Sequence, residues 1–293
     1  MRRFWKIAIA LAVLGLILLV ALPVAYLLSV EDLNLFGDTI MIIPVKGMIT
    51  LDECSAGLIA AGQCAQASVI KELLREADED STVKAVILDI NSGGGAIVAS
   101  RELMRAVKST EKPVVAWIGE SGASGAYYVA SAADVIVADR DSITGSIGVI
   151  AEFVHYSGLM NKIGVNVTVI TSGEYKDVGS PFREMTEKER DSIQELIDEI
   201  HADFISDVAE NRNLSVKYVT ELANGDIYLG SEALQLGLVD YNGGSDFALE
   251  ITKEIANVTG EPKIREVEGT KSWKEILDRL SANIGYGIGR GLR

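Results

Sequence analysis

The chain contains very little histidine or cysteine, with two of each among 293 residues. Its cysteines, Cys54 and Cys64, do not form a C-x-x-C pair, and no cluster of cysteine and histidine has the spacing of a zinc site. His155 and His201 are too few for a histidine-based metal centre. We therefore expect no metal and no cofactor, so any site chemistry rests on other residue types.

Basic residues are scarce relative to acidic ones. Lysine and arginine number 27 against 42 aspartates and glutamates, which gives a formal net charge of −15. This balance argues against nucleic acid as a partner, because binding to phosphates needs a basic face. Aromatic residues make up 6% of the chain and prolines number 5, whereas 48% of residues are hydrophobic and glycines number 28. The composition favours an α/β fold with an aliphatic core and tight turns.

One long run lacks charge altogether. Ile7 to Leu28 is 22 residues without a charged side chain, enough to cross about 30 Å of hydrocarbon as a helix. Basic residues precede the run and acidic residues follow it, so the N-terminus is expected in the cytoplasm and residues 30–293 outside it. A cleaved signal peptide is the alternative, although its apolar core is usually only about 7–15 residues long. We predict a cytoplasmic tip and transmembrane anchor at 1–29 and a linker at 30–38.

The predicted location bears on the cysteines. A disulfide is permitted outside the cytoplasm, and the ten-residue step from Cys54 to Cys64 suits a pinned loop. The alternative is two free buried thiols. We predict the disulfide.

Strand patterns and amphipathic helix patterns alternate after the linker, joined by glycine-rich turns. This order indicates crossover units and a parallel sheet. Strands are predicted at 39–45, 83–90, 113–118, 135–137, 165–170 and near 264, and helices at 67–78, about 96–108 and within 153–163. The longest helix begins near Thr186, which has capping-box spacing to Glu189. Its apolar stripe consists of Ile193, Leu196, Ile197, Ile200, Phe204 and Val208. The domain extends over 39–283, and a glycine-rich tail at 284–293 is expected to be flexible.

Ser124 is the first candidate for chemistry. It follows the apolar strand that contains Trp117, after Gly119 and Gly122, which we expect to break that strand. A helix of small residues begins directly behind the serine. A serine between a strand and a helix, with small neighbours, can expose its Oγ, and the helix start offers free N–H groups to an oxyanion. An N-cap serine on a tightly packed helix is the alternative.

Two further segments could serve such a serine. The turn Asn91-Ser92-Gly93-Gly94-Gly95 can present successive N–H groups, as an oxyanion hole or as a plain strand–helix turn. Lys176 lies in a loop just beyond a strand pattern. A lone loop lysine is ordinarily a solvated charge, but buried beside a serine its neutral amine can take the hydroxyl proton. His155 or His201 could instead complete a Ser-His-acid triad, and the chemistry alone leaves the lysine and histidine readings open.

Four motifs in order resemble the signal peptide peptidases of the SppA type, in their short single-repeat form. The resemblance covers roughly residues 39–260. The matching stretches are N-S-G-G-G at 91–95, S-G-A-Y-Y at 124–128, T-G-S-I-G-V at 144–149, and S-G-x-x-K-D followed by S-P-x-R-x-M-T within 172–186. Gly93 replaces the proline of the family pattern and Ala126 replaces its second glycine. Both remain small, so neither change removes a catalytic group.

The resemblance implies roles for particular residues. Ser124 would be the nucleophile and Lys176 the general base, with Ser146 helping to hold the lysine amine. The backbone of the Gly94–Gly95 turn and of Gly125 would form the oxyanion hole. No metal or cofactor would take part.

The resemblance also implies a fold and an assembly. The fold would be a Clp protease/crotonase-like spiral of mainly parallel strands with outer helices, behind one transmembrane helix. Short members of this family form homo-oligomeric rings in which neighbouring subunits often complete each site. The expected substrates are signal peptides and short unfolded peptides, cleaved outside the cytoplasm at the cell membrane.

Three alternatives remain at the level of the sequence. The first is a related membrane Ser/Lys protease that cleaves hydrophobic segments of stomatin-like partners. The second is a crotonase-type acyl-CoA enzyme with a glycine-rich oxyanion hole. The third is an inactive scaffold that binds peptides.

Overall fold

The computed structural model describes residues 37–52 and 64–267, together with Leu19. The first 38 residues form a unit separate from the remainder of the chain. The predicted span from Ile7 to Leu28 and the predicted flexible tail therefore fall outside the described residues, apart from Leu19. Among the residues that are described, no helix is both long and apolar enough to cross a membrane.

Ten strands and eight helices are defined in the described part of the chain. The strands are β1 (Thr39–Lys46), β2 (Met48–Thr50), β3 (Cys64–Gln66), β4 (Val83–Ser92), β5 (Val114–Ala123), β6 (Val135–Ala138), β7 (Ile143–Gly145), β8 (Ile227–Leu229), β9 (Tyr241–Asn242) and β10 (Lys263–Glu266). The helices are α1 (Ala67–Glu79), α2 (Ile97–Ser109), α3 (Gly125–Ala130), α4 (Ser157–Ile163), α5 (Glu187–Asn211), α6 (Val216–Leu222), α7 (Gly230–Gln235) and α8 (Ser245–Ile255).

The main sheet is mostly parallel. Its strands follow the order β10-β1-β4-β5-β6-β9, all parallel, and β7 pairs in parallel with the end of β5 while β8 runs antiparallel to β7. Strands β2 and β3 form a small parallel sheet of their own. Helices connect the parallel strands as crossovers. The prediction of a mixed α/β fold with a mainly parallel sheet is confirmed.

The sheet is covered unequally on its two faces. Helices α1, α2 and α3 pack with the central strands in the main apolar cluster, whose buried residues include Leu88, Ile118 and Tyr127. On the opposite face, α8 covers Val115 and Val137 in a second, smaller cluster. Burial on both faces explains why β4 and β5 have continuous apolar runs rather than an alternating pattern.

The carboxyl ends of β4 and β5 lie side by side. Ser92, the last residue of β4, pairs in register with Gly122, one residue before the end of β5. Each strand therefore delivers its following turn to the same edge of the sheet, where sites of open parallel sheets form. This register brings the turn at 93–95 beside Ser124.

Two sequence predictions about strands are wrong. Gly119 and Gly122 do not break β5, because β4 and β7 flank this stretch and pair with Gly122 from both sides. A Cβ on Gly122 would lie 2.9 Å from the Ile118 side chain, so glycine is needed for close packing there. The predicted strand at 165–170 is not formed. It alternates apolar and polar residues, but every residue of it is exposed and no strand in the described residues pairs with it.

The predicted disulfide lies only half within the described residues. Cys64 is buried at the start of β3 and is disulfide-bonded. Cys54 lies outside the described residues, so its pairing with Cys64 stays a prediction.

Candidate active site

Ser124 has a strained backbone conformation. It links β5 to α3 with φ 53° and ψ −125°, a backbone conformation that residues other than glycine rarely adopt. Such a residue costs about 1–3 kcal/mol and persists only where its surroundings fix it. Here the Ser124 N–H donates to the Gly145 carbonyl at 2.8 Å, and the Ser124 carbonyl accepts from the Tyr128 N–H at 2.9 Å. The sharp strand-to-helix turn resembles the strained turn that exposes the nucleophile of other serine hydrolases.

Two backbone N–H groups beside Ser124 are available to an oxyanion. Gly125 is the first residue of α3, where an N–H has no acceptor within the helix. No hydrogen bond from the Gly95 N–H occurs within the described residues, and a Cβ on Gly125 would lie 3.2 Å from that nitrogen. The Gly94 N–H, in contrast, donates to Ser92 Oγ at 3.1 Å. Of the two glycines in the turn, Gly95 thus offers the donor, and Gly94 shapes the turn.

The neighbouring glycines Gly93 and Gly94 offer a matched test of this turn. Gly94 has φ +99°, and a Cβ there would lie 2.7 Å from the Gly125 nitrogen, whereas a Cβ on Gly93 would meet nothing within 4 Å. We expect Gly94→Ala to lower kcat about 10²–10³-fold, the effect of losing one oxyanion donor. Gly93→Ala should keep kcat and raise the free energy of unfolding by about 0.4–1 kcal/mol. Peptide-hydrolysis kinetics and thermal melts of both variants check this, and equal activity of the two would contradict it.

A cavity of about 540 Å³ opens beside Ser124. Gly95, Gly125 and Ser146 line it together with the serine. Its other walls mix apolar with polar side chains. The apolar ones include Ile97, Val149, Ile150, Ile197, Ile200 and Phe204, and the polar ones Ser100, Arg101, Gln194, Asp198, His201 and Asn224. The cavity therefore offers a peptide both apolar contacts and polar partners.

Helix α5 supplies one wall of this cavity, which sequence reasoning missed. The predicted apolar stripe of α5 divides into two parts. Phe204 and Val208 are buried in the core, and Phe204 also lines the cavity. Ile197 and Ile200 line the cavity outside the core, and Leu196 is 54% exposed. The apolar periodicity is the same in both halves of the helix. Periodicity alone therefore cannot distinguish the residues that line a cavity from those that pack in the core.

Ser146 lies in the same cavity in a second strained conformation. Its φ is 50°, and its N–H donates to the Asp226 carbonyl at 2.7 Å. β7 ends one residue earlier, at Gly145, whose carbonyl fixes Ser124. The two serines are therefore held by one short strand, and the role of Ser146 in holding the lysine amine stays a prediction.

Lys176 is not brought to Ser124 within the chain. It is exposed in a turn, with its N–H donating to the Gly173 carbonyl at 3.2 Å. It does not line the cavity, and no hydrogen bond joins it to Ser124 among the described residues. The structure thus brings Ser124, the Gly95 and Gly125 N–H groups and Ser146 together, but leaves Lys176, the predicted base, apart from them.

Neither histidine is hydrogen-bonded to Ser124 either. His155 lies on the same segment as Lys176, with its Nδ1 3.3 Å from the Ser180 carbonyl. His201 lies on α5 and lines the cavity, with a buried Nε2 that has no hydrogen-bond partner within 37–52 and 64–267. A Ser-His pair is therefore not formed in the described part of the chain.

An ion-pair network at the start of α5 holds the loop that carries Lys176. Arg183 binds Asp177 through two nitrogens at 2.8 and 2.9 Å and binds Glu189 at 2.5 and 2.8 Å. Glu189 also accepts from the Thr186 N–H at 2.8 Å, which completes the predicted capping box. The hydrogen bonds from Arg183 and Thr186 lower the pKa of Glu189 from 4.5 to about 2, and Arg183 lowers the pKa of Asp177. The sequence showed the spacing of the capping box. It did not show that Arg183 binds Asp177 and Glu189, because no local pattern specifies these contacts.

We expect Arg183→Met to loosen this loop. Because the pKa of Glu189 is depressed in the folded state, its contribution to stability is full above pH 4.5 and is lost as the pH falls through about 2. Without Arg183 the loop should be looser already at neutral pH, and any further loosening on acidification should begin near pH 4–5, the ordinary range of a glutamate carboxyl. Limited proteolysis of 171–181 should then be several-fold faster at neutral pH, and kcat should fall more than KM changes.

Lys188→Met is the matched control for Arg183→Met. Lys188 is exposed and its ion pair with Glu174, at 3.3 Å, is exposed on both sides, so the control should change neither readout. Equal proteolysis of both variants would show that the network does not hold the loop.

The sequence model of peptidase family S49 matches residues 106–259, more than half of the chain. The chain belongs to peptidase family S49. The matched range contains Ser124, Ser146 and Lys176. As a member of family S49, the protein is a serine peptidase. It is 41% identical to a provisionally named protease of Methanocaldococcus jannaschii, over 98% of this chain and 94% of that protein.

Longer relatives in family S49 match over part of their length. Protease 4 of Haemophilus influenzae is 34% identical over 67% of this chain and 32% of its own, and the chloroplastic serine protease SPPA of Arabidopsis thaliana is 32% identical over 87% of this chain and 38% of its own. Among solved structures, a mutant of the 1510-N membrane-bound stomatin-specific protease with a substrate peptide gives a TM-score of 0.50 at 14% identity, over 84% of this chain and 99% of that chain. This last likeness shows the fold alone.

Proposed function

We propose that this S49 peptidase is a membrane-anchored Ser/Lys endopeptidase that degrades signal peptides released after protein export. One observation carries the proposal. Ser124 is held at a strained strand-to-helix turn, beside two available N–H donors, and opens onto a cavity whose walls include Ile97, Ile197 and Ile200. These are the parts that acyl transfer from an apolar peptide needs, apart from a base.

The proposed reaction proceeds through an acyl-enzyme. The neutral amine of Lys176 takes the proton of the Ser124 hydroxyl as Oγ attacks the peptide carbonyl carbon. The Gly95 and Gly125 N–H groups hold the resulting oxyanion. The C–N bond then breaks and the lysine ammonium protonates the leaving amine. Water, deprotonated by the same lysine, hydrolyses the ester and restores the Ser124 hydroxyl.

The base is proposed to come from a neighbouring subunit. The segment that carries Lys176 is rich in exposed apolar residues. The surface of a monomeric protein rarely has so many in one stretch. They include Val154, Tyr156, Leu159, Ile163, Val165, Val167, Val169 and Ile170. Burying them against another copy in a ring would also give the unformed strand at 165–170 a partner and would carry Lys176 towards the cavity of that copy.

The proposed location is the outer side of the cell membrane. The support comes from the sequence, in which the uncharged run from Ile7 to Leu28 has basic residues before it and acidic residues after it. Signal-peptide remnants are apolar and are released in the membrane. A cavity with several apolar wall residues, on an anchored enzyme, suits them.

The test compares hydrolysis of an apolar signal-peptide sequence by the full chain and by single variants. Ser124→Ala and Lys176→Ala should both abolish cleavage, whereas His155→Ala should keep it. Loss of activity in His155→Ala, with the fold intact, would restore the histidine alternative. Profiling against apolar segments of stomatin-like proteins and against acyl-CoA thioesters separates the remaining alternatives, since preferred cleavage of either would contradict the proposed substrate.

A further inference from the structure

A second groove lies on the face of the sheet opposite to α1, α2 and α3. It has a volume of about 740 Å³ and lies between β10 and α8 over strands β1, β4 and β5. Its floor is mainly apolar, with Ile42, Pro44 and Ile87, and Leu249 of α8 lines one side. Helix α8 buries the adjoining half of this face, whereas the groove half is left open.

Polar groups of the groove point to a missing occupant. The indole Nε1 of Trp117 is buried and has no hydrogen-bond acceptor among the residues that the structure describes. Lys46 is paired with Asp89 at 2.6 Å, which leaves the carboxylates of Asp246 and Glu266 as the remaining charges of the lining. An orphaned N–H and net negative charge around an apolar floor suit an apolar segment that carries basic residues.

The described chain ends in this groove. Val267 lines it and donates its N–H to the Ile42 carbonyl at 3.1 Å, one residue past β10. The sequence continues for 26 residues, to Arg293. The stretch 273–280, W-K-E-I-L-D-R-L, places Trp273, Ile276, Leu277 and Leu280 at helical spacing on one side.

Charge and reach both favour this stretch as the occupant. Residues 268–293 contain five basic and three acidic side chains, in a chain whose net charge is −15. Only five residues separate Val267 from Trp273, so extended backbone reaches no further than roughly 20 Å. A short tether keeps the effective concentration of the stretch near the groove in the millimolar range. Docking of the stretch is then favourable even if its apolar contacts are weak.

We propose that the C-terminal stretch Trp273–Leu280 docks as an amphipathic helix in the groove between β10 and α8 of its own chain. Its apolar side covers Ile42, Pro44 and Ile264, and the basic residues around it face Asp246 and Glu266. The contact completes the apolar core on this face of the sheet, away from the Ser124 cavity.

Photo-crosslinking in the full chain tests the occupant. A benzoylphenylalanine at position 249 should form a crosslink to residues 273–280 with the mass of a single chain. The control position is Glu250, which is exposed and does not line the groove, and it should give no such product. Crosslinks to another copy, to the N-terminal segment or to an added apolar peptide, or no product within 273–280, would overturn the proposal.

Hydrogen exchange on two matched variants gives a second readout. Leu277→Gln removes an apolar side chain from the proposed contact, whereas Glu275→Gln changes the opposite side of the helical pattern. We expect Leu277→Gln to speed amide exchange about tenfold in β10 and α8, and Glu275→Gln to leave it unchanged. Equal exchange in both variants would contradict docking, whatever the crosslinking shows.

Discussion

Ser124→Gly is expected to melt at a higher temperature than the unaltered protein while hydrolysing no peptide. Glycine adopts the positive φ of 53° without penalty, so the substitution relieves about 1–3 kcal/mol of strain. The greater freedom of glycine in the unfolded chain offsets part of this gain, about 0.4–1 kcal/mol. For a domain of this size, the melting temperature should rise by roughly 2–8 °C. Loss of the hydroxyl should lower kcat by about 10³-fold or more.

Ser124→Ala separates the two effects. Alanine lacks the hydroxyl but keeps the Cβ, so activity should be lost with no gain in stability. Thermal melts by circular dichroism and hydrolysis of an apolar peptide measure both. If glycine and alanine give the same melting temperature, the turn is not strained, and if either variant keeps activity, Ser124 is not the nucleophile.

Mixing two inactive variants should restore hydrolysis. Lys176→Ala and Ser124→Ala are each expected to lower kcat by roughly 10³-fold or more, because each removes one member of the catalytic pair. If Lys176 acts on the Ser124 of a neighbouring copy, a randomly mixed ring made from equal amounts contains about a quarter of its sites intact. The variants are dissociated, mixed, reassembled and assayed together.

The complementation has an internal control. The double variant Ser124→Ala/Lys176→Ala, mixed with either single variant, supplies no intact pair and should stay inactive. No recovery from the two single variants would contradict a base from a neighbouring copy, because Lys176 would then act within its own chain after a movement of its loop.

Much of the site was predictable because its parts are local in sequence. Ser124 lies between a strand pattern and a small-residue helix, and Gly94 and Gly95 follow another strand. Adjacent parallel strands end at one edge of a sheet, so these turns meet. The different roles of Gly94 and Gly95 were not predictable, since they depend on a hydrogen bond from Gly94 to Ser92 Oγ that only the folded turn reveals.

The sequence predictions are wrong where contacts with segments distant in sequence determine the local structure. Gly122 stays in β5 because strands pair with it on both sides. Local residue propensities carry no information about such pairing. Val165 to Ile170 has the alternation of a strand but no partner among the described residues, so it does not form one. Ile197 and Ile200 have the periodicity of core residues, yet they line the cavity, because this part of α5 lies outside the core that buries Phe204 and Val208.

Covalent labelling of Ser124 tests the central claim most directly. The full chain is treated with a fluorophosphonate, and the modified residue is located by mass spectrometry of its peptides, alongside Ser124→Ala, Lys176→Ala and Gly93→Ala. The account predicts a single adduct on Ser124, unchanged labelling in Gly93→Ala, and labelling in Lys176→Ala slowed by at least about a hundredfold. An adduct on another serine, or labelling of Ser124 at the same rate without Lys176, would contradict it.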